Sequence, residues 1–349
     1  MKLLIVTQVI DTEHPILGFF HNWVKEFSKH YDSVEVICLE VGKYDLPSHV
    51  RVHSLGKETG GNKFSYLLCF YKHAWSLRKD YDQVFVHMNQ VYVLLGGLLW
   101  RALGKKVGFW YAHGHMSLPV KVASWLSHVV FTSTASGFRY DTSKKIITGQ
   151  GIDVERFKCI EKSLSDILRL VYVGRMSSIK GIDTLLEVCK ILLERNVPFH
   201  LSLIGSATTS SENSYLDELK TIVKNQNLES KVTFVGKIPN TELPQYLCRS
   251  DIFINQSSTG SLDKAGVEAM SSELVVLTCN EAYKEVFVNL TNELMFEKSN
   301  ATAIADKIVE YKDAEKRRIV GAQLRDIVVQ NHSIERLMTL MSEKLKSLK

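Results

Sequence analysis

Arg175 and Lys180 stand five positions apart in the run Val171-Tyr-Val-Gly-Arg175-Met-Ser-Ser-Ile-Lys180-Gly181, and Glu268 closes the run Gly260-Ser-Leu-Asp-Lys-Ala-Gly-Val-Glu268. Each run begins where an apolar, strand-like stretch gives way to a Gly/Ser loop, and each ends where an amphipathic helical pattern begins. Anionic groups bind at such strand-to-helix turns, because the first amides of the helix have no partner within it. A guanidinium and an ammonium across one turn can converge on phosphate oxygens. A carboxylate in the first turns of a helix can accept hydrogen bonds from a ribose. A diphosphate attached to a ribose satisfies all three. Taken singly, each residue also reads as an ordinary surface charge, so the inference rests on the combination.

The elements that must position these residues come in alternation. In the first half the spacing predicts strands at Lys2–Gln8, Ser33–Leu39, Val50–His53, Val84–His87, Lys106–Ala112, Val129–Thr132 and Lys145–Thr148. Helices are expected between them near Phe19–Lys29, Tyr66–Arg78, Val91–Leu103 and Lys121–Ser127. From Gly149 to Ser165 the pattern breaks into a polar connection. A second alternation runs from the strand Leu168–Val173 to the strand Val275–Thr278, with helices at Gly181–Arg195, Tyr215–Gln226, Thr241–Arg249 and Leu262–Ser271. Strands alternating with helices predict parallel sheets wrapped by helices, here in two domains, 1–165 and 166–327. Ligands of such sheets sit beyond the carboxyl ends of the strands, so a cleft between the domains is the expected site.

The bulk properties agree with a folded two-core protein. The chain has 349 residues, 45% hydrophobic and 23% charged, which argues against disorder and suits two domains better than one. The formal net charge is +5, and the excess lies in residues 1–165, with 20 Lys/Arg against 14 Asp/Glu. A modest basic excess suits an anionic membrane surface or an ordinary solvated face. Nucleic-acid binding is disfavoured, because no recognised motif accompanies it. The chain opens on a strand without the pattern of a secretory leader, and its longest apolar run, Val91–Leu103, is short of the roughly 20 residues that span a bilayer. The six cysteines are scattered without a Cys-x-x-Cys and read as reduced residues of a cytoplasmic protein.

With these motifs in view, the second half resembles the retaining family-4 glycosyltransferases, group 1 type, of the GT-B class. The resemblance is carried by Val-Gly-Arg175-x4-Lys180-Gly, Leu203-Ile-Gly205, Lys231-Val-Thr-Phe-Val-Gly236-Lys-Ile-Pro239, Ser250-Asp-Ile-Phe-Ile254 and Gly260-Ser-Leu-Asp-Lys-Ala-Gly-Val-Glu268-Ala-Met270. It implies an α/β fold of two Rossmann-like doubly wound domains, with the C-terminal helix, about 328–349, packed back on the first. It also implies transfer of a hexose-type sugar from a nucleoside-diphosphate sugar, UDP- or GDP-linked, to a hydroxyl of a glycan or lipid-linked acceptor. In that reading Arg175 and Lys180 grip the diphosphate and Glu268 the ribose. The amides of Ser261 and Leu262 contact the distal phosphate, Gly205 ends a neighbouring strand, and Gly236, Lys237 and Ile238 border the base. One position departs from the pattern. Many members carry a carboxylate eight positions before the ribose-binding one, and here that position is Gly260, which leaves Asp263 or water to meet the sugar.

The first half matches more loosely. Pro15-Ile-Leu-Gly18 resembles the loop that approaches the donor phosphate, where a small residue is needed; a simple turn is the other reading of Gly18. His113, in Trp110-Tyr-Ala-His113-Gly-His115, aligns with the family's active-site histidine, which implies contact with the transferred sugar. His113 and His115 lack a third metal ligand, so neither a metal nor a cofactor is expected. With no carboxylate placed as a nucleophile, the resemblance favours front-face attack, the acceptor hydroxyl passing its proton to a phosphate oxygen. Asp11 and Glu13 are minor candidates to assist. The segment Lys63–Lys79 mixes aromatics, leucines and cations, and reads either as an interfacial helix beside an anionic membrane or as a core helix with a wet side. A nucleotide-sugar epimerase of the same fold and a catalytically degenerate binding module remain open. A dehydrogenase is disfavoured, because no Gly-x-Gly-x-x-Gly follows the first strand.

Overall fold

The computed structural model describes residues 1–14, 16–160, 165–257 and 260–348; Pro15, part of the polar connection (161–164) and Lys349 lie outside them. The chain forms two compact units, Met1–Gly151 with His332–Lys349, and Ile152–Asn331. The first boundary falls inside the polar connection, after Gly151, rather than at its end, residue 165. The reason is that Ile152, Val154 and Phe157 bury their side chains in the second core.

The first unit runs β1 (Lys2–Ile10), α1 (Phe19–Ser28), β2 (Ser33–Val41), β3 (Val50–Ser54), α2 (Lys63–Ser76), β4 (Gln83–His87), α3 (Gln90–Ala102), β5 (Lys106–Trp110), α4 (Leu118–Leu126), β6 (Val129–Thr132) and β7 (Lys145–Ile147). Its seven strands form one sheet in the order β3-β2-β1-β4-β5-β6-β7, paired in parallel. Side chains alternate across such a sheet. Leu3 and Ile5 therefore pack on one face with Phe20, Trp23 and Phe27 of α1, and Leu4 and Val6 on the other with Phe70, Trp100 and Leu126 of α2–α4.

The second unit runs β8 (Leu168–Val173), α5 (Ile182–Glu194), β9 (Phe199–Ile204), α6 (Ser210–Asn225), β10 (Val232–Gly236), α7 (Leu243–Cys248), β11 (Ile252–Asn255), α8 (Lys264–Ser271) and β12 (Val275–Thr278). Four further helices follow: α9 (Lys284–Phe287), α10 (Thr291–Leu294), α11 (Ala301–Glu310) and α12 (Ala314–His332). The last helix, α13 (Ile334–Lys346), belongs to the first unit, where Leu337, Met338 and Met341 join the core of α1. Five parallel strands lie in the order β10-β9-β8-β11-β12. The order reverses between β8 and β11, which pair only through Ile252 with Leu170 and Phe253 with Val171. Beyond these pairs the two strand ends part, which opens the crevice where doubly wound sheets hold ligands.

Two expectations need correcting. Helix α6 begins at Ser210, not near Tyr215, because the Thr209 hydroxyl accepts the Glu212 amide at 3.3 Å; the Thr-x-x-Glu spacing is a start signal. The cysteines are not all reduced, since Cys159 and Cys248 form a disulfide while Cys38, Cys69, Cys189 and Cys279 are free. Among the described residues no helix is long and apolar enough to cross a membrane.

Candidate functional site

The carboxyl end of β8 turns sharply into a loop. Gly205, at the end of β9, has φ of +138°, and a Cβ there would collide with the Gly174 carbonyl oxygen. The two strand ends thus touch through bare backbone, which only glycine permits. The buried Tyr172 hydroxyl donates to the Arg175 carbonyl at 2.9 Å and fixes the start of the loop. A single turn, Ser178–Lys180, then leads to Gly181, whose φ of +61° reverses the chain into α5 without a side-chain cap.

Lys180 reaches across the parting of the strands. Its Nζ donates to Oγ of the fully buried Ser257, just past β11, at 3.1 Å. The Ser257 amide donates to Asn255 Oδ1 at 2.8 Å, and Asn255 Nδ2 donates to Asp263 Oδ2 at 2.6 Å. Asp263 caps α8 by accepting the Gly266 amide at 2.9 Å. Burial pulls the Lys180 pKa below its ordinary value and the Asp263 carboxylate restores part of it; burial raises the pKa of Asp263, and Lys180 opposes that. Each charge thus favours the ionised form of the other, against the burial that opposes both. Arg175 lies more exposed, with Nη1 at 3.4 Å from Glu212 Oε1, and Glu212 in turn accepts the Thr208 amide at 2.7 Å and hydroxyl at 2.6 Å.

Glu268 is 3% exposed, and its Oε1 has no hydrogen-bond partner among the described residues. Burial raises its pKa, while Lys264 one turn earlier and Arg156 pull it down and Asp263 pushes it up. Lys264 is itself pushed down to about 8 by burial. A buried carboxylate with an oxygen to spare costs free energy, unless a hydroxyl or amide donor from outside the chain meets it.

Arg175, Lys180, Asp263 and Glu268 are thus brought into one electrostatic neighbourhood of the second unit. Asn280 Nδ2 donates to the Ser261 carbonyl at 2.8 Å and the Tyr283 hydroxyl to the Asp263 carbonyl at 3.2 Å, which fixes the loop of Ser261 and Leu262. Gly260 has φ of +73°, so the position that lacks the carboxylate also uses a left-handed backbone. Gly236 has φ of +82°, in a strand whose register shifts there, and accepts the Gly205 amide at 2.8 Å; Lys237 beside it is exposed and Ile238 half-buried. Asp263 is committed to capping α8 and to accepting from Asn255. Sequence reasoning missed Ser257, Asn255, Glu212, Arg156 and Lys264, and only Glu212 had a local signal.

Gly18 and His113 belong to the first unit. Gly18 starts α1, and a Cβ there would stand 2.6 Å from the His14 carbonyl oxygen, so the loop's own backbone already requires glycine. His113 is exposed after β5, its Nδ1 accepting the His115 amide at 3.4 Å. Asp11 accepts the amides of Glu13 and Lys43 at 3.0 and 3.2 Å, and Glu13 pairs with Lys43 at 2.9 Å, so both carboxylates are occupied in shaping the loop.

Two parallel-sheet α/β units, the second with cations and carboxylates at its switch point, define the GT-B class of glycosyltransferase folds. Residues 155–325, nearly the whole of the second unit, match the model of the family described as glycosyl transferases group 1, and that unit belongs to the family. Among curated proteins, the amylovoran biosynthesis glycosyltransferase AmsK of Erwinia amylovora is 30% identical over 139 residues, 38% of this chain and 33% of the relative. Mannosylfructose-phosphate synthase of Agrobacterium fabrum is 29% identical over 133 residues, 35% of this chain and 29% of that one. The chain thus matches about a third of each relative's length. Among solved structures, Anabaena Alr3699/HepE in complex with UDP superposes with a TM-score of 0.80 at 18% identity, covering all of both chains, which is a likeness of fold.

Proposed function

We propose that the protein is a retaining glycosyltransferase that moves a hexose-type sugar from a nucleoside-diphosphate sugar to a hydroxyl of a glycan or lipid-linked acceptor. The observation that carries this reading is the buried Glu268 carboxylate, with an unpartnered oxygen, in the electrostatic neighbourhood of Lys180 and Asp263 where β8 and β11 part. A ribose hydroxyl donating to Glu268 relieves that oxygen. Arg175 and Lys180 receive the diphosphate, and their charge stabilises it as it departs. His113 meets the transferred sugar, and the acceptor hydroxyl attacks from the face of the leaving group, giving its proton to a phosphate oxygen without a metal ion. The names of the relatives support the class: AmsK is named as a glycosyltransferase of amylovoran biosynthesis, and HepE has been solved with UDP and with UDP-glucose.

The test is thermal stability of the wild type and Lys180→Ala with UDP, GDP and ADP, each with EDTA present. At 100-fold excess over the dissociation constant, a ligand specific for the native state adds about 2.7 kcal/mol. Stabilisation by one nucleotide, lost in the variant, establishes a metal-free diphosphate clamp; no response to any of the three overturns the donor-site assignment. Product analysis with the corresponding sugar nucleotide then separates the activities. Transfer requires an acceptor, epimerisation does not, and a binding module leaves the donor intact.

A further inference from the structure

Helices α2, α3 and α4 cover one face of the first unit's sheet and expose large apolar side chains on their outer sides. On α2 these include Phe64, Leu68 and Trp75, at 68%, 56% and 52% exposure; α3 adds Leu98 at 66%, and α4 adds Leu118 and Trp125 at 73% and 70%. The spacings of four and seven residues align them along one side of each helix. The helices are neighbours. The Tyr71 hydroxyl donates to the Leu95 carbonyl at 3.0 Å, joining α2 to α3, and Arg101 Nη1 donates to the Leu126 carbonyl at 3.2 Å, joining α3 to α4. Their inner sides fill the core with Phe70, Trp100 and Leu126, so the outer residues are surplus to packing. Exposed apolar groups in this number over adjacent helices mark an interaction surface.

Charge decides what fits it. Residues 59–140 contain nine Lys/Arg against two acidic residues, Asp80 and Asp82. Lys72 precedes Trp75 on α2 and Lys79 follows just past the helix end, the Arg78 guanidinium lies 4.5 Å from the Trp75 ring centre, and Lys121 stands between Leu118 and Trp125 on α4. A second copy of the chain would set cation against cation. A soluble polyanion would leave the indoles in water. An anionic bilayer surface takes both the aromatic and aliphatic side chains and the cations around them.

The geometry points to docking of the α2–α4 face on an anionic lipid bilayer, with Trp75, Leu98, Leu118 and Trp125 at the headgroup–acyl boundary and Lys72, Lys79 and Lys121 against lipid phosphates. This goes beyond the donor site, involves none of its residues, and stands whether or not the proposed transfer reaction does.

The experiment is flotation of the full chain with vesicles of phosphatidylcholine alone and of phosphatidylcholine with phosphatidylglycerol. The expected result is flotation with the anionic vesicles only, weakened by salt. Lys72→Gln/Lys121→Gln lowers the partition coefficient about fivefold per cation removed, and Trp75→Ser/Trp125→Ser abolishes it, with unchanged melting temperature and unchanged response to UDP. The remaining tryptophans, Trp23, Trp100 and Trp110, are buried, so brominated phosphatidylcholine mixed into the anionic vesicles quenches the emission of Trp75 and Trp125 in the wild type. That readout holds even where a variant folds poorly. Absence of flotation or of quenching overturns the proposal. So does equal binding of dextran sulfate by wild type and tryptophan variant in place of vesicles. A lipid-free dimer in sedimentation velocity, dispersed by Trp125→Ser, overturns it in favour of a second copy.

Discussion

Glu268→Gln separates a ligand contact from a structural one. The substitution keeps the shape of the side chain and removes its charge. In the free protein two effects oppose each other. An unpartnered buried polar group costs about 1–3 kcal/mol, and an amide oxygen sheds part of that. Against this, Lys264 loses its neighbouring anion. With its pKa already down to about 8, it can release its proton near neutrality for about 1.4 kcal/mol, one pH unit. The net change in the free protein is within about 1 kcal/mol, or about 2–4 °C for a unit of this size. The pH dependence has a definite sign. A carboxyl with a raised folded pKa keeps its proton longer in the folded chain, so wild-type stability falls as pH climbs from the ordinary 4.5 to the raised value, and Gln removes that fall. In the complex, a hydroxyl donating to a carboxylate contributes about 1.5–3 kcal/mol against about 0.5–1.5 kcal/mol for the neutral amide oxygen that replaces it, so the variant binds UDP roughly 5- to 10-fold more weakly. Calorimetry gives the affinity and thermal melts give the stability. Unchanged affinity for every nucleoside diphosphate that binds the wild type refutes the assignment of Glu268 to the ribose. A loss of more than about 3 kcal/mol without ligand shows instead that its pairing with Lys264 and Arg156 holds the fold.

Three further outcomes follow from the geometry. Burial pushes His332 down to about 4 and its Nδ1 accepts the Gln150 amide at 3.2 Å; the unfolded chain therefore takes up a proton first, about 3 kcal/mol of stability is lost as pH falls from 6.5 to 4, and His332→Gln should flatten that slope in urea titrations. Gly205→Ala drives a methyl into the Gly174 carbonyl and should destabilise the second unit by more than about 3 kcal/mol, whereas Gly236→Ala, with open space at its Cβ, should cost about 1 kcal/mol; equal melting temperatures for the two would contradict the packing described. Cys248→Ser should cost about 2–4 kcal/mol under oxidising conditions and nothing under reducing ones, and alkylation in denaturant without reductant should label the four free thiols, three of them buried in the fold, and spare Cys159 and Cys248.

Much of the architecture was legible because its signals are local. The strands Val129–Thr132, Leu168–Val173, Ile252–Asn255 and Val275–Thr278 coincide with the apolar runs that announce them, since parallel strands buried on both faces read as continuous Val/Ile/Leu stretches. Helix ends were less legible. Asp263 caps α8 and holds its start to Lys264 rather than Leu262, which only a side-chain hydrogen bond reveals. At the site, Arg175, Lys180 and Glu268 stood out by type and by position after a strand. Ser257 and Asn255 did not, because Lys180 meets Ser257 across 77 residues of sequence and neither partner has an unusual local pattern.

The sequence alone determined the alternation of strands and helices, the turns where glycine must replace other residues, and the charges set at those turns. These follow from periodicity and backbone conformation, which act over a few residues. Tertiary structure alone decided that β8 and β11 become neighbours, that Lys180 shares a buried network with Asp263, and that Cys159 meets Cys248 from 89 residues away. It also set the apolar stripes of α2, α3 and α4 side by side as one cationic face. Strand order in a parallel sheet depends on how crossover helices pack, and that packing joins side chains whose separation in sequence carries no pattern to read.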